Sequence, residues 1–206
     1  EAIFETNLLH RLRGWTKEIA NQSTTAPRVV LLVGGPGNGK TEAVETTIAE
    51  LDQALGAGGQ VGDTLKVAFH PPAGEPVPRL VTIDAGSVAS PPRQLRLDVV
   101  QDASVGGRGG RSAAMALVDE LEAAAADASP RAYLCCVNRG VLDDAMIHAI
   151  DAGLAQSRDL LEAVARAVSL APDAPACWPL DGFPQVAVWP MDAESLIEDT
   201  VHGDTA

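Results

Sequence analysis

Aromatic side chains and basic side chains are both scarce in this sequence. Phe, Trp and Tyr make up 3% of the 206 residues, so a folded core has to be built mainly from Val, Leu, Ile and Ala. The 15 Lys and Arg residues are outnumbered by 28 Asp and Glu residues, which leaves a formal net charge of −13. This charge disfavours general association with duplex DNA or an acidic membrane surface. We therefore expect protein partners or self-association, and a nucleic acid only where a local basic patch exists.

Cysteines and long apolar runs are also few. The three cysteines form no Cys-x-x-Cys pair and are Cys135, Cys136 and Cys177. We expect all three to be reduced and buried, with the adjacent pair on opposite faces of a strand. No apolar run approaches the ~18 residues of a membrane-spanning helix, and no basic-then-apolar leader opens the sequence. The four histidines are scattered and predict no zinc site. These features predict a cytoplasmic protein that is neither secreted nor inserted in a membrane.

Apolar patterning alternates between strand-like and helix-like segments, and the length fits one compact domain. Short runs rich in β-branched residues predict strands at 28–33, 65–70, 79–84, 95–102, 131–137 and 185–189. Spacing of three and four residues predicts helices at 4–19, 41–55, 113–126, 142–154 and 160–168. The strand at 79–84 is expected at an edge or as an insertion, and the strand at 95–102 as its hairpin partner or an independent strand. This order predicts an α/β fold, a three-layer α/β/α sandwich around a mainly parallel sheet.

A glycine-rich segment follows the first predicted strand. It fits G-x-x-x-x-G-K-[ST] in full, with Gly34, Gly35, Pro36, Gly37, Asn38, Gly39, Lys40 and Thr41. A backbone that wraps a polyphosphate turns its N–H groups inward, which needs glycine because a Cβ would clash or forbid the required dihedral angles. The helix that follows presents unpaired N–H groups and the positive end of its dipole to the anion. The pattern predicts that Lys40 contacts the β- and γ-phosphates and that Thr41 is a ligand of Mg²⁺.

On these residues the chain resembles the P-loop NTPases, and the segment 34–41 is similar to their Walker A element. The resemblance implies binding of a nucleoside triphosphate together with Mg²⁺. The sequence contains no Asn-Lys-x-Asp motif, the guanine-specificity signal, so we expect ATP rather than GTP.

An acidic partner for Mg²⁺ is expected at the carboxyl end of a strand beside the first strand. Asp102 ends the predicted strand at 95–102 and is the leading candidate, as the aspartate of a Walker B element. A loop, a helix and the strand that ends at Asn138 follow it, an order that resembles AAA+ and related ATPases. The resemblance implies that Asn138 is a sensor 1 residue, which helps to place the attacking water. An Asn that ends a strand in a turn explains the same residue equally well.

Other acidic residues compete for the role of Asp102. Asp84 ends the predicted strand at 79–84 and is the alternative. Asp119 and Glu120 match the hydrophobic-Asp-Glu pattern in letters, but the alanine-rich segment around them predicts a helix with a solvated face. Ala103 follows Asp102 where the related ATPases carry a catalytic glutamate. Hydrolysis is therefore expected to be slow, to use another base such as Glu120, or to be lost, which would leave a nucleotide-dependent switch.

Several arginines could contact a phosphate, because a guanidinium offers a planar fork of donors. Arg139, Arg108 and Arg111 are candidates for a charge supplied in trans, although a solvated arginine is the simpler interpretation of each. Arg93 and Arg96 could join Arg108 and Arg111 in the lid of a kinase. The glycine-rich segment 106–111 predicts an irregular, mobile loop that could contact a partner or a nucleic acid.

The resemblance implies an Mg-ATP-binding ATPase domain of the AAA+ or STAND-like type. We expect it to be part of a larger chain or an oligomeric assembly, with nucleotide binding and hydrolysis driving assembly or conformational change. Two alternatives stay open: a small-molecule or nucleotide kinase, and a non-hydrolysing ATP-binding switch module. The expected organisation is an amphipathic helix and linker at 1–27, a P-loop nucleotide-binding core at 28–190, and an acidic helix at 191–206 that leads to a missing region.

Overall fold

The computed structural model of the chain describes residues 6–126, 130–169, 171 and 173–192. Within these ranges the chain forms six α-helices and five strands, with a short 3-10 turn at Arg108–Gly110. In chain order they are α1 (Asn7–Ala20), β1 (Val29–Val33), α2 (Lys40–Leu55), α3 (Gln60–Phe69), β2 (Leu80–Asp84), β3 (Arg96–Val100), α4 (Ala113–Ala126), β4 (Arg131–Val137), α5 (Arg139–Asp151), α6 (Ala155–Ala167) and β5 (Val186–Pro190).

The strands form one sheet in the order β2-β3-β4-β1-β5. β1 lies parallel to both β4 and β5, β3 lies parallel to β4, and β2 alone is antiparallel, paired with β3. All five residues of β1 are buried, as expected of a strand in the middle of a sheet that is covered on both faces. The predicted α/β class with a mainly parallel sheet is therefore confirmed.

Helices cover both faces of this sheet. On one face, side chains from α1, α2 and α3 pack against Val30, Leu32 and Leu134; on the other, side chains from α4, α5 and α6 pack against Leu31, Val33 and Cys135. The alternation of side chains along β1 and β4 produces this division. The arrangement has the three layers expected of an α/β/α sandwich.

The N-terminal helix α1 belongs to the first of these layers. Leu12 and Trp15 are fully buried, and the indole Nε1 of Trp15 donates a hydrogen bond to the carbonyl of Pro27 over 2.7 Å. The linker to β1 is thereby held beside the helix. The acidic helix expected at 191–206 lies outside the described residues except for Met191 and Asp192, which continue from β5.

The strand predicted at 65–70 is wrong, because these residues belong to helix α3. Val61, Leu65 and Phe69 recur every four residues and are buried, so a short apolar run also fits the helical period. The first turn of α3 is held by a distant carboxylate. Asp52, on α2, accepts hydrogen bonds from the backbone N–H of Val61 over 2.7 Å and of Gly62 over 3.2 Å.

β2 and β3 form the expected hairpin, with β2 at the edge of the sheet. Leu80 pairs with Val100 and Asp84 pairs with Arg96. Gly86, in the connection, lies so close to the returning chain that an added Cβ would be 2.0 Å from the carbonyl oxygen of Arg93. Among the described residues, none of the helices combines the length and apolar character that a bilayer crossing requires.

Candidate functional site

The glycine loop, residues 34–41, connects the carboxyl end of β1 to the start of α2. A cavity of about 750 Å³ opens above it, where the carboxyl ends of β1, β3 and β4 meet. The cavity is lined by Pro36, Gly37, Asn38, Gly39, Lys40, Thr41, Glu42, Gln101, Asp102, Ser104, Cys136 and Asn138. The structure thus brings the predicted Lys40, Thr41, Asp102 and Asn138 to one site. Gly34 and Gly35 support the loop without lining this cavity.

Left-handed backbone geometry explains two glycines of the loop. Gly37 has φ of +82° and Gly39 has φ of +72°, a region that costs a side-chain-bearing residue roughly 1–2 kcal/mol. Gly34 is required by close packing, since an added Cβ would lie 2.7 Å from the Cβ of Met191. Gly39 precedes α2 and has no side chain to cap it, and the first helical bond runs from Ala43 N to Gly39 O over 2.9 Å. The N–H groups at the start of α2 therefore lack helical acceptors.

Lys40 provides the only ammonium group among the residues that line the cavity. Its Nζ donates to the carbonyl of Gly34 over 2.8 Å and also to the carbonyl of Gly35. The side chain is partly buried, and these bonds place its charge on the glycine loop. An anion in the cavity would meet this charge together with the N–H groups at the start of α2.

Asp102 lies just beyond β3, on an exposed turn, where one carboxylate oxygen accepts a hydrogen bond from Ser104 N over 2.8 Å. The expectation that its strand lies beside β1 is wrong, because β4 separates β3 from β1. Asp102 and Thr41 nevertheless line the same cavity. A carboxylate and a hydroxyl are the oxygen donors that Mg²⁺ prefers, with water completing the shell. These residues therefore fit the metal that the sequence implies.

Asp84 is not brought to this site. β2 runs antiparallel to β3, so Asp84 pairs with Arg96 at the start of β3, whereas the cavity lies beyond the end of that strand. Five residues of strand span roughly 16 Å. The carboxylate of Asp84 accepts a hydrogen bond from Ser87 N over 3.2 Å within its own turn. Of the two alternatives, only Asp102 is placed where it could hold a metal at Thr41.

Glu120 is engaged in a buried network and is not placed to activate water. Its carboxylate pairs with Arg79 over 2.9 Å and accepts a hydrogen bond from the hydroxyl of Tyr133 over 2.8 Å. Burial lowers the pKa of Arg79, but the hydrogen bond and charge of Glu120 outweigh it and leave that pKa raised. Burial, then the neighbouring Cys135 and Glu120, raises the pKa of Tyr133 well above its ordinary value. The alternative in which Glu120 is a catalytic base is therefore not supported.

Ala103 is buried in the core at 0% exposure, and its N–H donates to the carbonyl of Cys136 over 2.9 Å. The position after Asp102 consequently points into the protein and away from the cavity. The polar groups that flank Asp102 in the cavity are Gln101 and Ser104. Sequence reasoning missed both, although their adjacency to Asp102 was a usable signal.

Asn138 both caps a helix and lines the cavity. It follows β4 directly and caps α5, because its Oδ1 accepts a hydrogen bond from Val141 N over 2.9 Å. The same residue lines the cavity. The turn-forming interpretation and the sensor-like position are thus compatible.

Four of the candidate arginines, Arg93, Arg96, Arg111 and Arg139, have described side-chain contacts or positions. Arg93 donates to the carbonyl of Ala20, at the end of α1, and Arg96 begins β3, at the end of that strand opposite the cavity. Arg111 forms an exposed ion pair with Asp119 on α4. Arg139 is linked to the glycine loop through an ion pair of 3.3 Å with Asp192, which contacts Gly35 and Asn38.

The cysteines follow the expected alternation, with one exception in burial. Cys135 and Cys136 face opposite layers and are both buried, but Cys177 is only half-buried. Cys136 lines the cavity and its Sγ lies 3.9 Å from the carbonyl oxygen of Lys40. Burial raises the pKa of Cys136 to about 12, against a smaller lowering by the charge of Lys40. Both adjacent thiols are therefore protonated near neutral pH.

A second cavity of about 500 Å³ lies between α1 and the segment around β5. Trp178 and Trp189 meet there edge to face, with ring centroids 6.2 Å apart, and Trp15 completes the aromatic wall. This cavity contains none of the predicted site residues.

A scan against protein-family models finds no match to this chain, and searches of curated proteins and of solved structures find none either.

Proposed function

We propose that this chain is an ATPase domain that binds Mg-ATP in the cavity above the glycine loop, in the manner of AAA+ and STAND-like P-loop proteins. One observation carries the proposal: the loop, Thr41, Asp102 and Asn138 line a single cavity of about 750 Å³. These residues are brought together from three separate strand ends. Such convergence is what a triphosphate with a metal requires, whereas an ordinary strand-to-helix turn requires only the loop.

The triphosphate oxygens are expected to accept hydrogen bonds from the backbone N–H groups of the loop and of the start of α2. Lys40 would exchange its bonds with the loop carbonyls for bonds to phosphate oxygens. Thr41 and Asp102 would hold Mg²⁺, which neutralises phosphate charge. The order in which the chain places the loop on β1, Asp102 after β3 and Asn138 after β4 resembles that of AAA+ ATPases. Nucleotide occupancy would then act on whatever partner or second copy contacts this site, to drive assembly or a conformational change.

Slow hydrolysis is part of the proposal. Ala103 is buried and has no carboxylate, and the carboxylate of Glu120 is occupied by Arg79 and Tyr133, so neither residue orients water. The polar side chains of the cavity that could take that task include Glu42, Gln101, Asp102, Ser104 and Asn138. These same observations favour a second candidate, a switch module that binds ATP and retains it without hydrolysis.

The decisive test is Mg-ATP binding measured by titration calorimetry on three variants. Lys40→Ala should weaken binding by about 100-fold, the effect of losing charge-assisted hydrogen bonds worth ~3 kcal/mol. Asp102→Asn should reduce the affinity only when Mg²⁺ is present. Asp84→Asn is the matched control. Its affinity should equal that of the unmodified chain, because Asp84 lies beside the first residue of β3, at the end of the strands opposite the cavity.

An affinity for Mg-ATP that is unchanged in Lys40→Ala would refute the proposal, and a loss of affinity caused by Asp84→Asn would refute the metal assignment. Phosphate release without an acceptor distinguishes an ATPase from the switch module. Retained ATP in the extract of the purified protein, with no phosphate release, would favour the switch. GTP in the same titration should bind more weakly than ATP.

A further inference from the structure

A carboxylate of this chain already contacts the glycine loop. Asp192 accepts a hydrogen bond from the backbone N–H of Gly35 over 3.2 Å, and the same oxygen accepts one from the side-chain amide of Asn38. Its other oxygen forms the ion pair with the guanidinium of Arg139. One anionic group thus engages two donors of the loop and the cation at the start of α5.

The position of Asp192 is set by the main chain before it. Met191 donates its N–H to the carbonyl of Val33, the last residue of β1, over 2.7 Å. The Cβ of Met191 also packs against Gly34, where any side chain would collide with it. Met191, the residue after β5, is therefore held against the loop, and the carboxylate of Asp192 reaches the loop from the next position.

We propose that Asp192 is an internal anionic latch, which competes with the phosphates of the nucleotide for the side-chain amide of Asn38, the one of its three partners that also lines the cavity. This inference rests on the proposed function. An amide N–H, a side-chain amide and a guanidinium are donors suited to phosphate oxygens. Because Asp192 and a triphosphate are both negatively charged, phosphate near the loop raises the free energy of the latched state. Nucleotide binding and release of Asp192 from the loop are then coupled.

The coupling has a direction that can be measured. Removing the charge of Asp192 should tighten binding of Mg-ATP by about tenfold, within the 5–150-fold range of typical couplings between sites. The gain should extend to ADP, which also carries phosphates. It should be absent for adenosine, which has none, so a general loosening of the fold would not reproduce the pattern.

The experiment compares Asp192→Asn with Asp151→Asn by calorimetry, using ATP, ADP and adenosine. Asp151 carries the same charge at the far end of α5, about 18 Å along the helix from Arg139. Tighter ATP and ADP binding by Asp192→Asn alone, reduced at high salt, is the expected result. ATP binding by Asp192→Asn when the unmodified chain binds none would also support the latch.

Equal ATP affinities for Asp192→Asn and the unmodified chain would overturn the latch and leave the proposed function standing. Weaker ATP binding by Asp192→Asn would overturn it too, and would make Asp192 a residue that positions the loop for nucleotide. If neither the unmodified chain nor Asp192→Asn binds ATP, the proposed function and the latch are refuted together. Equal gains for Asp151→Asn would reduce the effect to net charge and overturn the latch.

Discussion

Replacing Glu120 by Ala tests whether this carboxylate is a structural group or a catalytic base. The side chains of Arg79 and Glu120 are only 6% and 13% exposed, and Glu120 also accepts a hydrogen bond from the hydroxyl of Tyr133. Arg79 further donates to the carbonyls of Ala103 and Val105, which form the turn after Asp102. The ion pair therefore joins α4 to the turn after β3, which carries Asp102 and Ser104 of the cavity.

The expected loss of stability follows from this burial. Removing one partner of a buried ion pair costs about 3–5 kcal/mol, because the remaining charge stays buried without compensation. Arg79 keeps its two carbonyl acceptors, so Glu120→Ala should lie near the lower end, at ~3 kcal/mol. For a chain of 206 residues this corresponds to a fall in Tm of roughly 6–12 °C. Glu120→Gln keeps an acceptor for Tyr133 and should lose about half as much.

Urea unfolding followed by circular dichroism measures these differences. The matched control is Asp119→Ala, on the same helix, because Asp119 pairs with Arg111 on the surface and such pairs contribute about 0–1 kcal/mol. A loss below 1 kcal/mol for Glu120→Ala would refute the structural role. Unchanged stability with abolished phosphate release would show instead that Glu120 acts in hydrolysis.

Two further predictions concern the loop and the buried thiol. Gly34→Ala should cost ~1–3 kcal/mol, because its Cβ would overlap that of Met191, whereas Gly35→Ala, with its nearest contact at 3.8 Å, should change stability by less than about 0.5 kcal/mol in the same assay. Equal effects would contradict the packing of Met191 on the loop. For Cys136, the unfolded thiol loses its proton near pH 9.0 and the folded one near pH 12, so the folded state binds more protons between these values. This contribution is fully present below pH 9.0 and should fall by ~1.4 kcal/mol per pH unit above it, a slope that Cys136→Ala should reduce in unfolding measured from pH 8 to pH 11.

Local pattern was sufficient for the elements that position the site. The apolar run of β1, the glycine motif and the helical spacing of α2 follow one another in the chain, and each is specified by neighbouring residues. The same is true of β4 and of the cap at Asn138. Local pattern failed at α3, where an apolar run fits both periods and the choice depends on Asp52, which reaches the first turn from α2.

Strand direction and strand order are decided by contacts between distant segments, and the sequence left them open. Asp102 and Asp84 both follow apolar runs, so the sequence does not distinguish them. The antiparallel pairing of β2 places Asp84 beside the start of β3, at the end of the strands opposite the cavity. The roles of Glu120 and Asp192 depend likewise on partners far along the chain, Arg79 for one and Gly35 for the other. The sequence by itself determined the glycine loop, because backbone dihedral preference and hydrogen bonding act within a few residues. Only the tertiary structure decided which carboxylates meet that loop, because long-range packing sets the direction in which each strand runs.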